Sequence, residues 1–174
     1  MVRLDAAVST YLYFAYGSNM LTARLRARTP GARPVATGYV TARRLAFHKL
    51  SIDGSGKCDL AVAADDASRA YGVLYVLDPG EVPALDCAEG VGHGYRKDAI
   101  SIVTSAGVVP AMTYLADRTQ RGLRPYGWYK AFVVHGAVEH GLPEPYVASL
   151  RATDALVDPD VARRARNRAI LAGA

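Results

Sequence analysis

The sequence predicts an α+β fold: a mostly antiparallel, curled sheet with helices at its flank. Segments patterned as strands outnumber helical ones, and the connections between successive strands are short. The chain has 174 residues, enough for one well-buried core and too few to favour two. A single domain is expected over 1–174, with its core at 11–151 and a last helix at 159–171.

The first strand is Tyr11-Leu12-Tyr13-Phe14-Ala15-Tyr16, aromatic residues that favour a packed, pleated surface. Gly17-Ser18-Asn19 interrupts it, and Met20 to Arg28 is helical in pattern. Gly relaxes the backbone there, and Ser or Asn can cap the helix. Free N–H groups at such a junction can hold an anion or an oxyanion. Many junctions of this kind only turn the chain. This one lacks the second Gly and the Lys-Ser/Thr pair of a phosphate-binding P-loop.

Arg33 to Thr41 and Arg43 to Leu50 read as strands, Ser51 to Lys57 as a flexible loop, Leu60 to Ala63 as a short strand and Ala70 to Leu77 as a central one. Asp78 is a suitable N-cap, Pro79 fits the first helical position, Glu81 completes a capping-box pattern and Gly90 ends the helix. Tyr95 to Thr104 and Val108 to Leu115 form a hairpin, with Pro110 marking an edge or a bulge. Arg118 to Tyr126 is a loop near the site. Tyr126 to His140 is a helix closed by Gly141, and Pro143 to Arg151 and Pro159 to Leu171 are short helices.

Composition excludes several classes. Apolar residues are 51% and charged residues 21%, ordinary for a soluble globular protein, and no apolar run reaches eighteen residues. Asp5 interrupts the N-terminus against a signal peptide, so a cytoplasmic protein is expected. Cys58 and Cys87 lie far apart, and His48, His93, His135 and His140 form no metal-ligand spacing; no metal or cofactor is expected. His135 suits an ordinary helix position, whereas His93, between two glycines beside Glu89, is the histidine to watch. The net charge of +5 concentrates at Arg24, Arg26 and Arg28, at Arg43 and Arg44, and at Arg163, Arg164, Arg166 and Arg168. Without a nucleic-acid motif these read as solvated faces, so neither nucleic acid nor membrane is an expected partner.

Val82, Leu85 and Glu89 fall at i, i+3 and i+7 on the face that the apolar members make the buried one. Glu89 is thereby directed inward, while Asp86 lies off the stripe and can face water. Desolvation and the negative end of the helix dipole both raise the pKa of an unpaired inward carboxylate, making it a proton shuttle near neutral pH. The alternative is a Glu that bonds a nearby N–H or Arg and closes the helix. Spacing alone weighs the two equally.

The segment Phe14-Ala15-Tyr16-Gly17-Ser18-Asn19-Met20 resembles the signature of the γ-glutamylcyclotransferase-like family. Tyr71-Gly72-Val73-Leu74-Tyr75, Leu85-Asp86-Cys87-Ala88-Glu89-Gly90-Val91, and Tyr129-Lys130 with Gly136-Ala137-Val138-Glu139-His140-Gly141-Leu142-Pro143 match in the expected order. The resemblance covers about Tyr11 to Leu150. It implies a small, partly closed β-barrel flanked by helices, with Glu89 as the catalytic glutamate. It implies substrate contacts from Tyr13, Phe14, Ala15, Tyr16, Gly17, Ser18, Asn19 and Tyr129. Gly92-His93-Gly94-Tyr95 departs from relatives that carry a slightly longer insert, so Tyr95 aligns to within one residue, and it and His93 are further candidates. Tyr114 reads as core sheet packing.

The activity so implied is cofactor-independent cyclisation of a γ-glutamyl amide to 5-oxoproline with release of an amine or amino acid. The expected partner is the small-molecule γ-glutamyl substrate, and the size suits a monomer or homodimer. A non-catalytic ligand-binding module of the same fold is the alternative, argued against by an inward base that a binder would not need.

Overall fold

The computed structural model of the chain describes residues 11–173; the reading of Asp5 lies outside them. Seven strands form: β1 (Tyr11–Ala15), β2 (Arg33–Thr41), β3 (Arg43–Leu50), β4 (Gly56–Val62), β5 (Arg69–Leu77), β6 (Tyr95–Thr104) and β7 (Gly107–Ala116). Five of them close into a barrel in the order β1-β5-β2-β6-β7. Its pairings are antiparallel except at the seam, where β1 meets β7 in parallel at Tyr13 and Met112. Pro110 lies opposite Ser101 of β6, two residues from the seam pairing of Met112 with Tyr13.

The sheet is not one continuous curl. β3 and β4 form a separate two-stranded ribbon. Ala42, at φ 55°, is the single residue between β2 and β3, and this left-handed corner turns the chain away from the barrel.

Among the described residues five helices flank the barrel: α1 (Thr22–Arg26), α2 (Val82–Glu89), α3 (Gly127–Glu139), α4 (Glu144–Ala152) and α5 (Val161–Ala172). None is long and apolar enough to cross a membrane. Two begin differently from the sequence pattern. The segment after β1 is a 3-10 turn at Ser18–Met20 followed by short α1. A 3-10 turn, Pro79–Glu81, precedes α2; Asp78 caps it by accepting from the Gly80 N–H at 2.8 Å. Glu81 does not complete the capping box. Both its carboxylate oxygens accept from the Gly31 N–H, at 3.0 and 3.1 Å, tying down the loop before β2. Gly90 ends α2 as expected, in the left-handed conformation at φ 66°.

The core joins the barrel interior to α3. Phe14, Val73, Tyr75, Leu85, Phe132 and Val133 are fully buried members of one cluster. α3 packs on the turn after β1 so closely that a Cβ on Gly136 would meet the Leu21 nitrogen at 2.4 Å and the Met20 carbonyl carbon at 2.6 Å. The turn is also bonded from behind. Tyr75 donates to the Met20 carbonyl at 2.8 Å, and His140 Nε2 lies 3.0 Å from the same oxygen. Glu139 accepts from the Thr22 N–H at 3.0 Å, satisfying a first-turn donor of α1.

Gly136→Ala therefore lowers stability by about 1–3 kcal/mol, the usual cost of overpacking a close contact. Urea unfolding checks it; an unchanged midpoint removes Gly136 as the point where α3 holds the turn.

Candidate active site

Glu89 is where the stripe on α2 puts it. Val82 and Leu85 are buried, and the Glu89 side chain turns inward with 16% of its surface exposed. It is not unpaired. Its Oε1 accepts from Arg28 Nη1 at 2.7 Å and from Asn19 Nδ2 at 2.9 Å. The same Arg28 nitrogen donates to Asn19 Oδ1 at 2.9 Å, closing a ring of three side chains. Asn19 also donates to the Tyr13 hydroxyl at 3.0 Å. Oε2 of Glu89 has no hydrogen-bond partner among the described residues.

The basic run after the first strand is thus not merely a solvated face. Arg28 pairs with Glu89. Arg24 donates Nε to Ser18 Oγ at 3.0 Å and lays its guanidinium 4.5 Å above the Phe132 ring. Burial, with Arg28 beside it, pulls the Arg24 guanidinium down to about 10. Arg26 turns away to the Ala32 carbonyl. The signal that could have found Arg28 was the inward carboxylate itself, which requires a partner.

Tyr13, Tyr16, Gly17, Ser18, Asn19, Glu89, Tyr95 and Tyr129 line one small cleft, of about 30 Å³, together with Cys58 and Tyr114. Three expected residues are not there. Phe14 and Ala15 are fully buried in the barrel core and do not line the cleft, although Ala15 shares the strand face of Tyr13. His93 is exposed and outside the cleft: the turn from Gly90 to Gly94 carries it to the surface.

Two cleft-lining residues were missed besides Arg28. Tyr114 is buried as expected, but it also lines the cleft, lies edge-on to Tyr13 at 5.6 Å and donates to Asp86 at 2.8 Å. Asp86 is accordingly not a free surface acid; Lys97 reaches it too, at 2.8 Å. Cys58 on β4 is fixed by two tyrosines: Tyr129 accepts from its N–H at 3.1 Å and Tyr95 donates to its carbonyl at 2.7 Å. Tyr16 donates to the Tyr114 carbonyl.

Burial pushes the Cys58 thiol up to about 12 and raises the phenols of Tyr13, Tyr16, Tyr95 and Tyr129. All remain protonated at neutral pH, so neither a thiolate nor a phenolate competes with the carboxylate as base. Gly17 is needed for space: a Cβ would lie 2.9 Å from that of Cys58. The N–H groups of Ser18 and Asn19, in the first turn of the 3-10 segment, have no partner among the described residues.

The loop expected at 51–57 gives way to β4 at Gly56, and it closes beside the cleft. Lys57 pairs with Asp53 at 2.9 Å and sits over the rings of Tyr129 (4.7 Å) and Trp128 (4.8 Å). Burial favours the neutral Asp53, but hydrogen bonds from Ser55 and Lys57 prevail and bring it down to about 2. A larger groove of about 1150 Å³, between the β3–β4 ribbon and α4, contains none of the expected site residues. A carboxylate, an amide and free N–H groups converge on the smaller cleft, from Glu89, Asn19 and the Ser18–Asn19 backbone.

The closed barrel, with the Glu89 carboxylate turned toward a strand-turn-helix corner, accords with the resemblance to the γ-glutamylcyclotransferase-like family. The AIG2-like family pattern matches residues 69–150. Gamma-glutamylcyclotransferase of mouse is 30% identical over 150 residues, and the human protein 30% over 155; each alignment covers 83% of this chain and 79% of the relative. A solved gamma-glutamyl cyclotransferase superposes with a TM-score of 0.79 at 25% identity, covering 91% of this chain and 99% of its own. The chain belongs to the γ-glutamylcyclotransferase family.

Two outcomes follow from the side chains around Cys58 and the loop. Tyr129→Phe leaves the Cys58 N–H unpaired and lowers stability by about 1–3 kcal/mol; equal unfolding midpoints show that the hydroxyl is not holding β4. Asp53 has a folded value of about 2 against an ordinary 3.8, so its contribution is whole above about pH 4 and is lost as the pH falls through about 2. Between pH 5 and pH 2 the wild type consequently loses more stability than Asp53→Asn, measured by urea unfolding at each pH. Identical losses remove Asp53 as the anchor of the loop.

Proposed function

We propose that the chain cyclises the γ-glutamyl group of an amide, releasing 5-oxoproline and an amine or amino acid. The observation that carries this reading is the asymmetric tethering of Glu89. One oxygen is fixed by Arg28 and Asn19, and the other is left open in a cleft whose tyrosines and cysteine stay protonated. A fixed carboxylate with one open oxygen suits proton transfer better than a carboxylate saturated on both sides.

Glu89 Oε2 takes a proton from the α-ammonium of the γ-glutamyl group. The freed amine attacks the γ-carbonyl and closes a five-membered ring. The Ser18 and Asn19 N–H groups face the developing oxyanion. The amide C–N bond then breaks, and Glu89 returns its proton to the leaving nitrogen. The nucleophile belongs to the substrate, so positioning supplies much of the rate; well-oriented intramolecular reactions gain on the order of 7–11 kcal/mol. The scheme uses no enzyme nucleophile, which accords with a buried, protonated Cys58. The cleft admits little more than a water molecule, so substrate entry requires the side chains around it to move apart.

Glu89→Gln keeps the size of the side chain and the hydrogen bond from Arg28 but cannot take the proton. Release of 5-oxoproline from a panel of γ-glutamyl dipeptides and amines falls about 10²–10⁴-fold. The thermal midpoint also falls, because the ion pair with Arg28 is lost. Near-normal release from a folded Glu89→Gln protein ends the mechanism.

A further inference from the structure

We propose that Arg28 and Glu89 together form a receptor for the zwitterionic α-amino-acid head of the substrate, with Arg28 taking its α-carboxylate. The inference rests on the reaction proposed above and adds a specificity-determining residue to it.

The ammonium and carboxylate of an α-amino acid hang from one carbon. If Glu89 receives the ammonium, the cation that receives the carboxylate has to stand close to Glu89. Among the described residues Arg28 does so, at 2.7 Å. The other nearby cations are placed elsewhere: Arg24 against Ser18 and the face of Phe132, Lys49 over the ring of Tyr95 at 4.8 Å, and Lys57 on Asp53.

The pair is also bonded so as to leave its outer atoms open. Arg28 uses Nη1 alone for both Glu89 and Asn19, so Nε and Nη2 carry no hydrogen bond among the described residues. Glu89 uses Oε1 alone. A guanidinium presents five donors in a planar fork that matches a carboxylate. With 22% of its side-chain surface exposed, Arg28 can be reached without breaking the ring that orients it. Acid and base then stand side by side with opposite polarity to the incoming head. A neutral zwitterion meets a neutral ion pair, and no net charge is buried.

The α-carboxylate takes no part in bond making, so it can be removed without changing the chemistry. In 4-aminobutanoyl-alanine the amine attacks the same carbonyl, the same amide bond breaks, the proton passes to alanine, and the lactam is 2-pyrrolidone. A site that hydrogen-bonds the carboxylate rejects this analogue, because its own charged group is left unpaired.

The test compares kcat/KM for γ-glutamyl-alanine and 4-aminobutanoyl-alanine by mass detection of the two lactams. Wild type is expected to favour γ-glutamyl-alanine by at least about 10²-fold. In Arg28→Gln both activities fall, γ-glutamyl-alanine the more and chiefly through KM, and the ratio shrinks to within about tenfold. Should the Gln variant fail to fold, Arg28→Lys retains charge but not the fork, and at least a tenfold loss of discrimination is expected. A merely structural Arg28 lowers both activities in proportion and leaves the ratio intact, which overturns the inference while the cyclisation stands. A wild type that treats the two substrates alike overturns it too. No lactam from either substrate overturns the cyclisation and the receptor together.

Discussion

The site depends on the turn after β1 being pressed against α3. At Gly136 the two backbones meet with no room for a methyl group. Once that contact is made, the Met20 carbonyl is taken by Tyr75 and His140, and the Thr22 N–H by Glu139. The outward side of the turn is left with little freedom. Asn19 can then stand between Tyr13, Glu89 and Arg28 at bonding distance from all three. A family-matching stretch that supplies no side chain to the cleft, Gly136 to Leu142, is the mould against which the corner carrying Asn19 is cast.

The second constraint is electrostatic. A carboxylate among aromatic side chains loses hydration, at a cost of several kcal/mol if nothing replaces the water. Here a guanidinium and an amide replace it on one oxygen. The pair is neither fully exposed nor fully buried, which keeps the desolvation cost moderate and the attraction substantial. The surrounding tyrosines are satisfied too, by the backbone of Cys58, by the Tyr114 carbonyl and by Asp86. No buried side-chain polar atom lacks a partner among the described residues.

Local signals in the sequence carried far. The strand that ends at Tyr16-Gly17-Ser18-Asn19, the bounds of β2 and β3, the hairpin of β6 and β7, and the inward turn of Glu89 all follow from periodicity and turn chemistry over a few residues. What stayed hidden is pairing across the chain. Arg28 meets Glu89 over a separation of 61 residues, and Glu81 leaves its own helix to bond Gly31, 50 residues back. Cys58 enters the cleft from β4 of the separate ribbon, which the chain reaches through the left-handed corner at Ala42. Alternation placed Tyr13 correctly but could not say that Phe14 and Ala15 belong wholly to the barrel, nor that the glycines around His93 carry it outward.

The bonds that mould the corner have a temporal side. Thr22 and Glu139 are 117 residues apart, and Met20 and His140 are 120. Contacts of such high sequence separation close late, since the entropy of so long a loop has to be overcome before they are rewarded. On a ribosome, β1 and its turn are made before α3 and must wait for it to exist before it can hold them. The corner that carries Asn19 therefore takes its final shape only after α3 has been made.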